Sequence, residues 1–549
     1  MVQTVRRCLD VNLEELQQEL ERKRSALGEE AYQKLRTGLE ALRYLQELVA
    51  DQDMTMAELR RLVHVHGGTE KTREVLRRAG VEAASRRPAP PAAGAPPDAG
   101  PRTAAPGHGR AGAAAYTGAR RIGVPHEILR PGDRCPECGK GKLYPLREPK
   151  RQIRFVGQAP VMATVYERDR FRCNLCNEVF TAAAPAGLSE DTYDPTAASM
   201  IAQLKYGSGV PFYRLAGLQA RLKIPLPEST QCEIVQEVAG KLQPVLDELI
   251  RQAAQGEVLH NDDTGATILA LKHEAPPDEG PAQARTGVFT SAIVATTAGH
   301  KIALYFTGRK HAGENLAAVL AHRAAELAPP IQMCDALTRN LPKPLAVLLA
   351  NCWAHGRRQF VEVAPNFPAE CKHVLETLAE IYRYDELARE QALSPEDRLR
   401  FHQTHSGPVM AALRAWLTGQ LDEHHVEPNS GLGRAMRYLL NHWEPLTLFL
   451  RAPGAPLDNN LCERALRKAI LHRKNALFYK TANGARVGDL FMSLIHSCEL
   501  CRVNSFDYLT ELQRHAADLA TDPGDWLPWT YRETLARARG SEPAHGPAP

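Results

Sequence analysis

GEVLHNDDT at residues 256–264 reads as a β-strand that ends in two acids, and GVFTSAIVATTAGHKIALYFTG at 287–308 reads as two more strands joined at Thr297, Ala298 and Gly299. Apolar and β-branched runs bounded by turn formers specify strands, so three antiparallel strands are expected. HAGENLAAVLAHRAAEL at 311–327 carries apolar residues at helical spacing. PIQMCD at 330–335 is a short apolar strand that again ends in an acid. PLAVLLANCWAHGRRQF at 344–360 is a further apolar run leading into an Arg-rich helix, and LDNNLCERALRKAILHRKNALF at 457–478 sets Glu463 in the first turns of a helix. The expected order is three strands, helix, strand, helix, strand, helix.

That order is the ribonuclease-H-like layout, in which acids on the first strand, the fourth strand and a late helix converge on one edge of the sheet. Here those acids are Asp262, Asp335 and Glu463. Taken singly, each has an ordinary use: Asp262 and Asp263 as turn caps, Asp335 as a helix cap, Glu463 as a partner for Arg467. Together they suit two divalent ions about 4 Å apart, which activate the attacking oxygen and stabilise the leaving one in phosphoryl transfer. Hard Mg²⁺, or Mn²⁺, takes such oxygen ligands. Without a cation, two carboxylates about 4 Å apart would repel by roughly 4 kcal/mol at an effective dielectric near 20.

A chain of 549 residues exceeds one typical core, so two to four domains are expected. The net charge of +4 announces no nucleic-acid partner by itself, and local clustering must carry that argument. The longest apolar stretches, such as Leu345–Ala350, are too short to span a membrane, and the N-terminus lacks the apolar core of a signal peptide, so a cytoplasmic location is expected. Leu9, Leu13, Leu16 and Leu20, then Leu35, Leu39 and Leu42, recur at helical spacing. They form either a coiled-coil seam or an amphipathic hairpin, with Gly28 breaking one continuous helix. Residues 86–121 are Ala-, Pro- and Gly-rich, a linker that is either a solvated spacer or, through His108, Arg110, Arg120 and Arg121, an arm along a phosphate backbone. Asp194–Ala253 reads as helical, punctuated by Pro225 and Pro227. Val210–Ile234 is either a helix-turn-helix or an ordinary helical layer.

Among twelve cysteines, Cys135 and Cys138 (RCPECGKGK) and Cys173 and Cys176 (RFRCNLCNEVF) form two Cys-x-x-Cys pairs. Four thiolates in tetrahedral array suit structural Zn²⁺, and two matched pairs favour metal over a redox dithiol. Ile153, Phe155, Val156 and Val165 between them suggest strands, hence a ribbon-like module, with Arg134, Lys140, Lys142, Arg170 and Arg172 available to DNA. Cys498 and Cys501 lie in an apolar helical context without a second pair, and buried thiols are expected there.

Several of these segments resemble the IS sixty-six family of bacterial insertion-sequence DDE transposases. HNDDT at 260–264 is similar to that family's first-acid motif, normally Asp-Glu-Thr, and MCDAL at 333–337 to its second-acid motif. NCWAHGRRQF at 351–360 looks like its Cys-Trp-Ala-His-x-Arg-Arg segment, and LDNNLCERALR with HRKNALF at 472–478 like its third-acid motif and tail. The resemblance runs from about residue 9 through Leu509. It implies a transposase whose catalytic, metal-holding acids are Asp262, Asp335 and Glu463. Its partners would be double-stranded DNA, as terminal repeats and as target, a second copy of the chain, and small accessory proteins of the same element in a bacterial nucleoid. Asp263 stands where Glu is common, and because side chains alternate along a strand only one of Asp262 and Asp263 can face the metals; the family's alignment favours Asp262. Asp458 also competes with Glu463, but it precedes the helix and is expected to cap it with Asn459.

Pro368–Leu450 reads as mostly helical, an insertion before the last acid. Arg357, Arg358, Arg464, Arg467, Lys468, Arg473 and Lys474 offer cations near the acids for DNA phosphates, or for surface pairing with Asp and Glu. The expected architecture is multidomain α+β. It comprises a helical, zipper-like segment (1–85), a linker (86–125), a zinc-ribbon-like module (126–184) and a helical connecting or DNA-binding region (185–255). A ribonuclease-H-like core (256–480) follows, with its insertion at about 365–450, then a C-terminal module (481–525) and a tail (526–549). A zinc-containing DNA-binding regulator and a non-transposing nuclease are the alternative functions.

Overall fold

The computed structural model describes residues 128–138, 140–144, 157–172, 179–185 and 191–541 apart from 274–285, 298 and 344–346, with a few isolated residues elsewhere. Leu9, Leu13, Leu16, Leu39 and Leu42, nearly all of the linker, Cys173 and Cys176 lie outside the described residues. The chain divides into two compact units, one of residues 85–201 and 211–235, the other of 1–84, 202–210 and 236–549.

In the smaller unit, strands β1 (Arg170–Arg172) and β2 (Val179–Thr181) pair antiparallel, Arg170 opposite Thr181. The strand expected at Val165 is absent, and that residue is exposed in irregular chain. A run with too few apolar neighbours on one face gains nothing from pairing. Helices α1 (Pro195–Ala202) and α2 (Phe212–Arg221) follow, and α3 (Glu228–Ala254) starts after Pro225 and Pro227, which punctuate the turn as the sequence suggests. Buried Gln219 ties α2 to the preceding chain, its Nε2 donating to Val161 O at 2.8 Å.

The larger unit is built on a five-stranded mixed sheet in the order β5-β4-β3-β6-β7. Its elements are β3 (Val258–Gly265), α4 (Leu269–His273), β4 (Phe289–Thr296), β5 (Lys301–Gly308), α5 (Ala312–Leu320), β6 (Ile331–Cys334), β7 (Leu348–Asn351) and α6 (Trp353–Val363). β3, β4 and β5 run antiparallel as the sequence predicts, and the turn closes with Thr297 N–H on His300 O at 3.0 Å. β6 and β7 run parallel to β3. Two expectations are corrected. Among the described residues no α-helix joins β6 to β7, only the single turn Thr338–Asn340, because Pro342 and Pro344 lack amide donors and disfavour helical backbone before them. The helix after β5 stops at Leu320 rather than Leu327, and Pro329 and Pro330 follow.

After α6 come α7 (Pro368–Glu390), α8 (Pro395–Asp422) and α9 (Gly431–Asn441), so the 368–450 stretch is helical as expected. Its apolar faces share one core with the sheet: Met333, Ala350 and Trp353 pack in the same cluster as Val374, Leu378, Leu413 and Leu439. Ser394 caps α8 by accepting the Asp397 N–H at 3.1 Å. Asp385 of α7 is clamped by Arg398 at 2.6 Å and by His402 at 3.3 Å, which hold its carboxyl down to about 2 against the opposing cost of burial.

Helices α10 (Asn460–Ala476), α11 (Ala482–Leu500), α12 (Ser505–Arg514) and α13 (Tyr531–Ser541) complete the unit. α11 covers the edge strand β5. The N–H groups of Ala303, Tyr305 and Thr307 donate to Ser497 Oγ, Ser493 Oγ and Asp489 Oδ2 at 3.0, 3.0 and 2.6 Å. Four helical residues rise about 6 Å and two strand residues about 6.7 Å, so acceptors spaced four apart match donors spaced two apart and the β5 edge is capped along these three residues. Cys498 is buried and Cys501 partly so, its thiol directed to Lys301 O. No helix among the described residues is long and apolar enough to cross a membrane.

Candidate active site

Sheet register brings the first two acids together. β3 and β6 pair in parallel up to His260 opposite Met333, and two steps further along each strand lie Asp262 and Asp335. Asp262 is therefore inside β3 rather than at its end, but just past the point where the parallel pairing stops. The fully buried Asn340, on the single turn after β6, stands between them: its Nδ2 donates to Asp335 Oδ1 and reaches Asp262 Oδ1 at 3.5 Å. Asn340 is itself fixed from below, its backbone O accepting from Asn261 Nδ2 at 2.8 Å and Gln332 Nε2 at 2.6 Å.

The third acid is delivered by α10. Asn459, just before the helix, meets His260 Nδ1 at 3.1 Å and donates to Asn261 O at 3.1 Å, while Cys462 Sγ reaches Ala292 O at 3.3 Å and Tyr305 Oη donates to Ala465 O at 2.8 Å. These ties seat one face of the helix on β3–β5, and Glu463 falls in its first turn, where the helix dipole favours a carboxylate. Asp458 accepts the Asn460 N–H at 3.1 Å, but Asn459 is not its partner in capping as expected, because the Asn459 carboxamide is turned to the sheet.

The acids share one negative field. Burial, then Asp335, with smaller contributions from Asp263 and Glu463, push Asp262 up to about 7. The same field reaches the surrounding thiols and phenol. Burial and then Asp335 and Asp262 raise Cys334, burial and then Asp262 and Glu463 raise Cys462, and burial and then Asp335 push Tyr438 of α9 up to about 12. Asp263 has other partners: His311 Nδ1 at 2.8 Å and Arg339 at 3.3 Å. Burial lowers His260 to about 4, so it meets Asn459 as a neutral ring.

Beside Glu463, the first turn of α6 and the residue before it bring in His355 and Cys352. Ligand atoms of Cys352, His355 and Glu463 lie within 4.8 Å of one another, a grouping able to hold a metal ion. Burial pushes the Cys352 thiol up to about 12, and its Sγ accepts the Asn459 N–H at 3.2 Å.

The basic candidates divide. Arg358, Arg464, Arg467 and Lys474 are exposed, and Arg357 is partly buried near Tyr382. No ion pair joins Glu463 to Arg467 among the described residues. Lys468 is taken by Glu499 of α11 at 2.8 Å, and Arg473 by Thr264 Oγ1 at 3.1 Å and Gly265 O. Those two tie the helix down instead of facing solvent. Sequence reasoning missed Asn340, His311 and Arg339, and gave Asn459 only a capping role. His355 stood in a quoted segment without a role.

Cys135 and Cys138 form a tight knuckle: Cys135 N–H donates to Gly141 O at 2.8 Å, and Gly141 N–H approaches Cys138 Sγ at 3.4 Å. Backbone N–H groups, Gly141 first, lower the Cys138 thiol, as suits a thiolate ligand.

Residues 191–487, more than half of the chain, match the profile described as "Transposase IS66 family", and the chain belongs to that family. Two proteins of Sinorhizobium fredii (strain NBRC 101917 / NGR234) are similar over most of their lengths. "Uncharacterized protein y4jD" is 27% identical over 427 residues, 74% of this chain and 80% of that protein. "Uncharacterized protein y4hP" is 27% identical over 436 residues, 74% of this chain and 75% of that protein.

Proposed function

We propose that the chain is a DNA transposase that cleaves phosphodiester bonds at insertion-sequence ends and joins the freed 3′ ends to target DNA. The observation that carries this reading is the convergence of Asp262, Asp335 and Glu463 in one field in a member of a transposase family. The donor set fits Mg²⁺ or Mn²⁺: three carboxylates offer hard oxygen ligands, and an acid raised to about 7 by burial and like charge is one that a cation would ionise. Such ions, held by these three residues, would supply Lewis-acid activation of water and charge neutralisation.

The chain's own residues do the positioning. Asn340 orients Asp262 and Asp335, Asn459 seats the start of α10, and the exposed Arg358, Arg464, Arg467 and Lys474 offer charge to DNA phosphates. The sheet order, with an acid on its first and after its fourth strand, supports a ribonuclease-H-like core carrying 368–450 as an insertion. In the same reading Cys135, Cys138, Cys173 and Cys176 hold structural Zn²⁺. Double-stranded DNA is the substrate, and a second copy of the chain helps bring two ends together, with accessory proteins of the element as further partners.

The test supplies the full chain with Mg²⁺ or Mn²⁺ and a donor carrying the element's terminal repeats. Cleaved ends and joined products are expected. Binding without cutting would instead identify a regulator, and cutting without end preference or joining a plain nuclease.

A further inference from the structure

Glu463 has a neighbour that the three-acid reading leaves unused. His355 Nδ1 is enclosed and makes no hydrogen bond among the described residues, although it lies 3.9 Å from Glu463 Oε1. A buried ring nitrogen without a partner is costly, and such an atom facing a carboxylate calls for something between them. Two donors each about 2.1 Å from one ion can be no more than about 4.2 Å apart, so the observed spacing admits a shared cation. Cys352 Sγ, the third atom of the group, is wholly buried and already accepts the Asn459 N–H, which leaves the His355–Glu463 pair as the open donors.

We propose that His355 donates Nδ1 to the cation held by Glu463, so that this side of the site is a mixed nitrogen–oxygen position that selects a first-row transition ion such as Mn²⁺ over Mg²⁺. Imidazole nitrogen strengthens binding of transition ions, whereas Mg²⁺ keeps to oxygen ligands and water. The proposal rests on the reading of Glu463 as a metal ligand.

The test is Mn²⁺ titration of the full chain, stripped of weakly held divalent ions and followed by electron paramagnetic resonance, with Mg²⁺ as competitor. The wild type should bind Mn²⁺ at least about tenfold more tightly than Mg²⁺, and its bound Mn²⁺ should show hyperfine coupling to an imidazole ¹⁴N. His355→Ala should lose that coupling and about tenfold of Mn²⁺ affinity while Mg²⁺ affinity stays within about twofold. Bound Mn²⁺ that is lost in Asp335→Ala but shows no nitrogen coupling in the wild type would overturn the role of His355 and leave the acid site standing. No Mn²⁺ binding by the wild type would overturn both. The coupling is read on the wild type, so it does not depend on how the variant folds.

Discussion

Asp262 and Asp263 are consecutive on β3, yet their carboxylates have different settings: Asp262 lies in the field of Asp335 and, more weakly, of Asp263 and Glu463, whereas the Asp263 carboxylate is held by His311 and Arg339. Alternation along the strand separates them. Asp262→Asn should therefore lower DNA cleavage by more than about a hundredfold, beyond the 10- to 100-fold that loss of a supporting partner costs. Asp263→Asn should keep metal affinity within about tenfold and instead lose about 1–3 kcal/mol of stability, since His311 and Arg339 lose their charged acceptor. Paired cleavage assays and denaturant melts read the two effects, and the reversed pattern would exchange the roles.

Gly313 of α5 controls the turn that carries Asn340. A Cβ there would lie 2.7 Å from Arg339 O and closer still to Leu341 O. Gly313→Ala must push that turn outward, at a cost of about 1–3 kcal/mol for overpacking, and Asn340 moves with it. The rise in melting temperature on adding Mn²⁺ should shrink in this variant. An undiminished rise would show that the turn does not hold the acids.

Asp489 supplies a pH signature away from the acids. It is buried beneath β5, and burial raises its carboxyl to about 7 although the Thr307 hydroxyl and N–H oppose the shift. A folded pKa above the unfolded value means the folded state binds more protons between about pH 4 and 7. Its contribution is full below about pH 4 and is lost as pH rises to about 7, by an amount on the order of 2–4 kcal/mol. Asp489→Asn should remove that slope, so that its stability relative to wild type rises from pH 4 to 7. Urea melts across this range check it, and parallel curves would refute the assignment.

The cysteine knuckle at Cys135 and Cys138 predicts bound zinc. Replacing Cys135 and Cys173 with Ser should release it, measured as zinc content per chain after dialysis. Unchanged content would exclude the four-cysteine site.

Much of the larger unit was legible because its strands are apolar runs between turn formers and its helices carry apolar faces. What escaped the sequence was tertiary. Nothing in HNDDT shows which aspartate turns toward β6, since strand parity is fixed by pairing with β4 and β6. Asn340 gains its place only because the turn after β6 folds back under α5, and the two prolines that forbid a helix there were visible but unused. The basic residues of α10 illustrate the same limit: Lys468 and Arg473 look like Arg464 and Arg467 in sequence, but one meets Glu499 and the other the end of β3. The spacing of Asp489, Ser493 and Ser497 was present in the sequence, and only the neighbouring edge strand gives it meaning.

The central claim is that Asp262, Asp335 and Glu463 act as one metal-dependent centre for cutting and joining DNA. Its most direct test is strand transfer of a pre-cleaved, labelled element end into target DNA in Mn²⁺, by wild type, Asp335→Ala and Glu463→Gln, each shown to bind the end. Joined product from the wild type, abolished by chelation and lost by more than about a hundredfold in both variants, is the predicted result. Full joining by either variant would contradict the site.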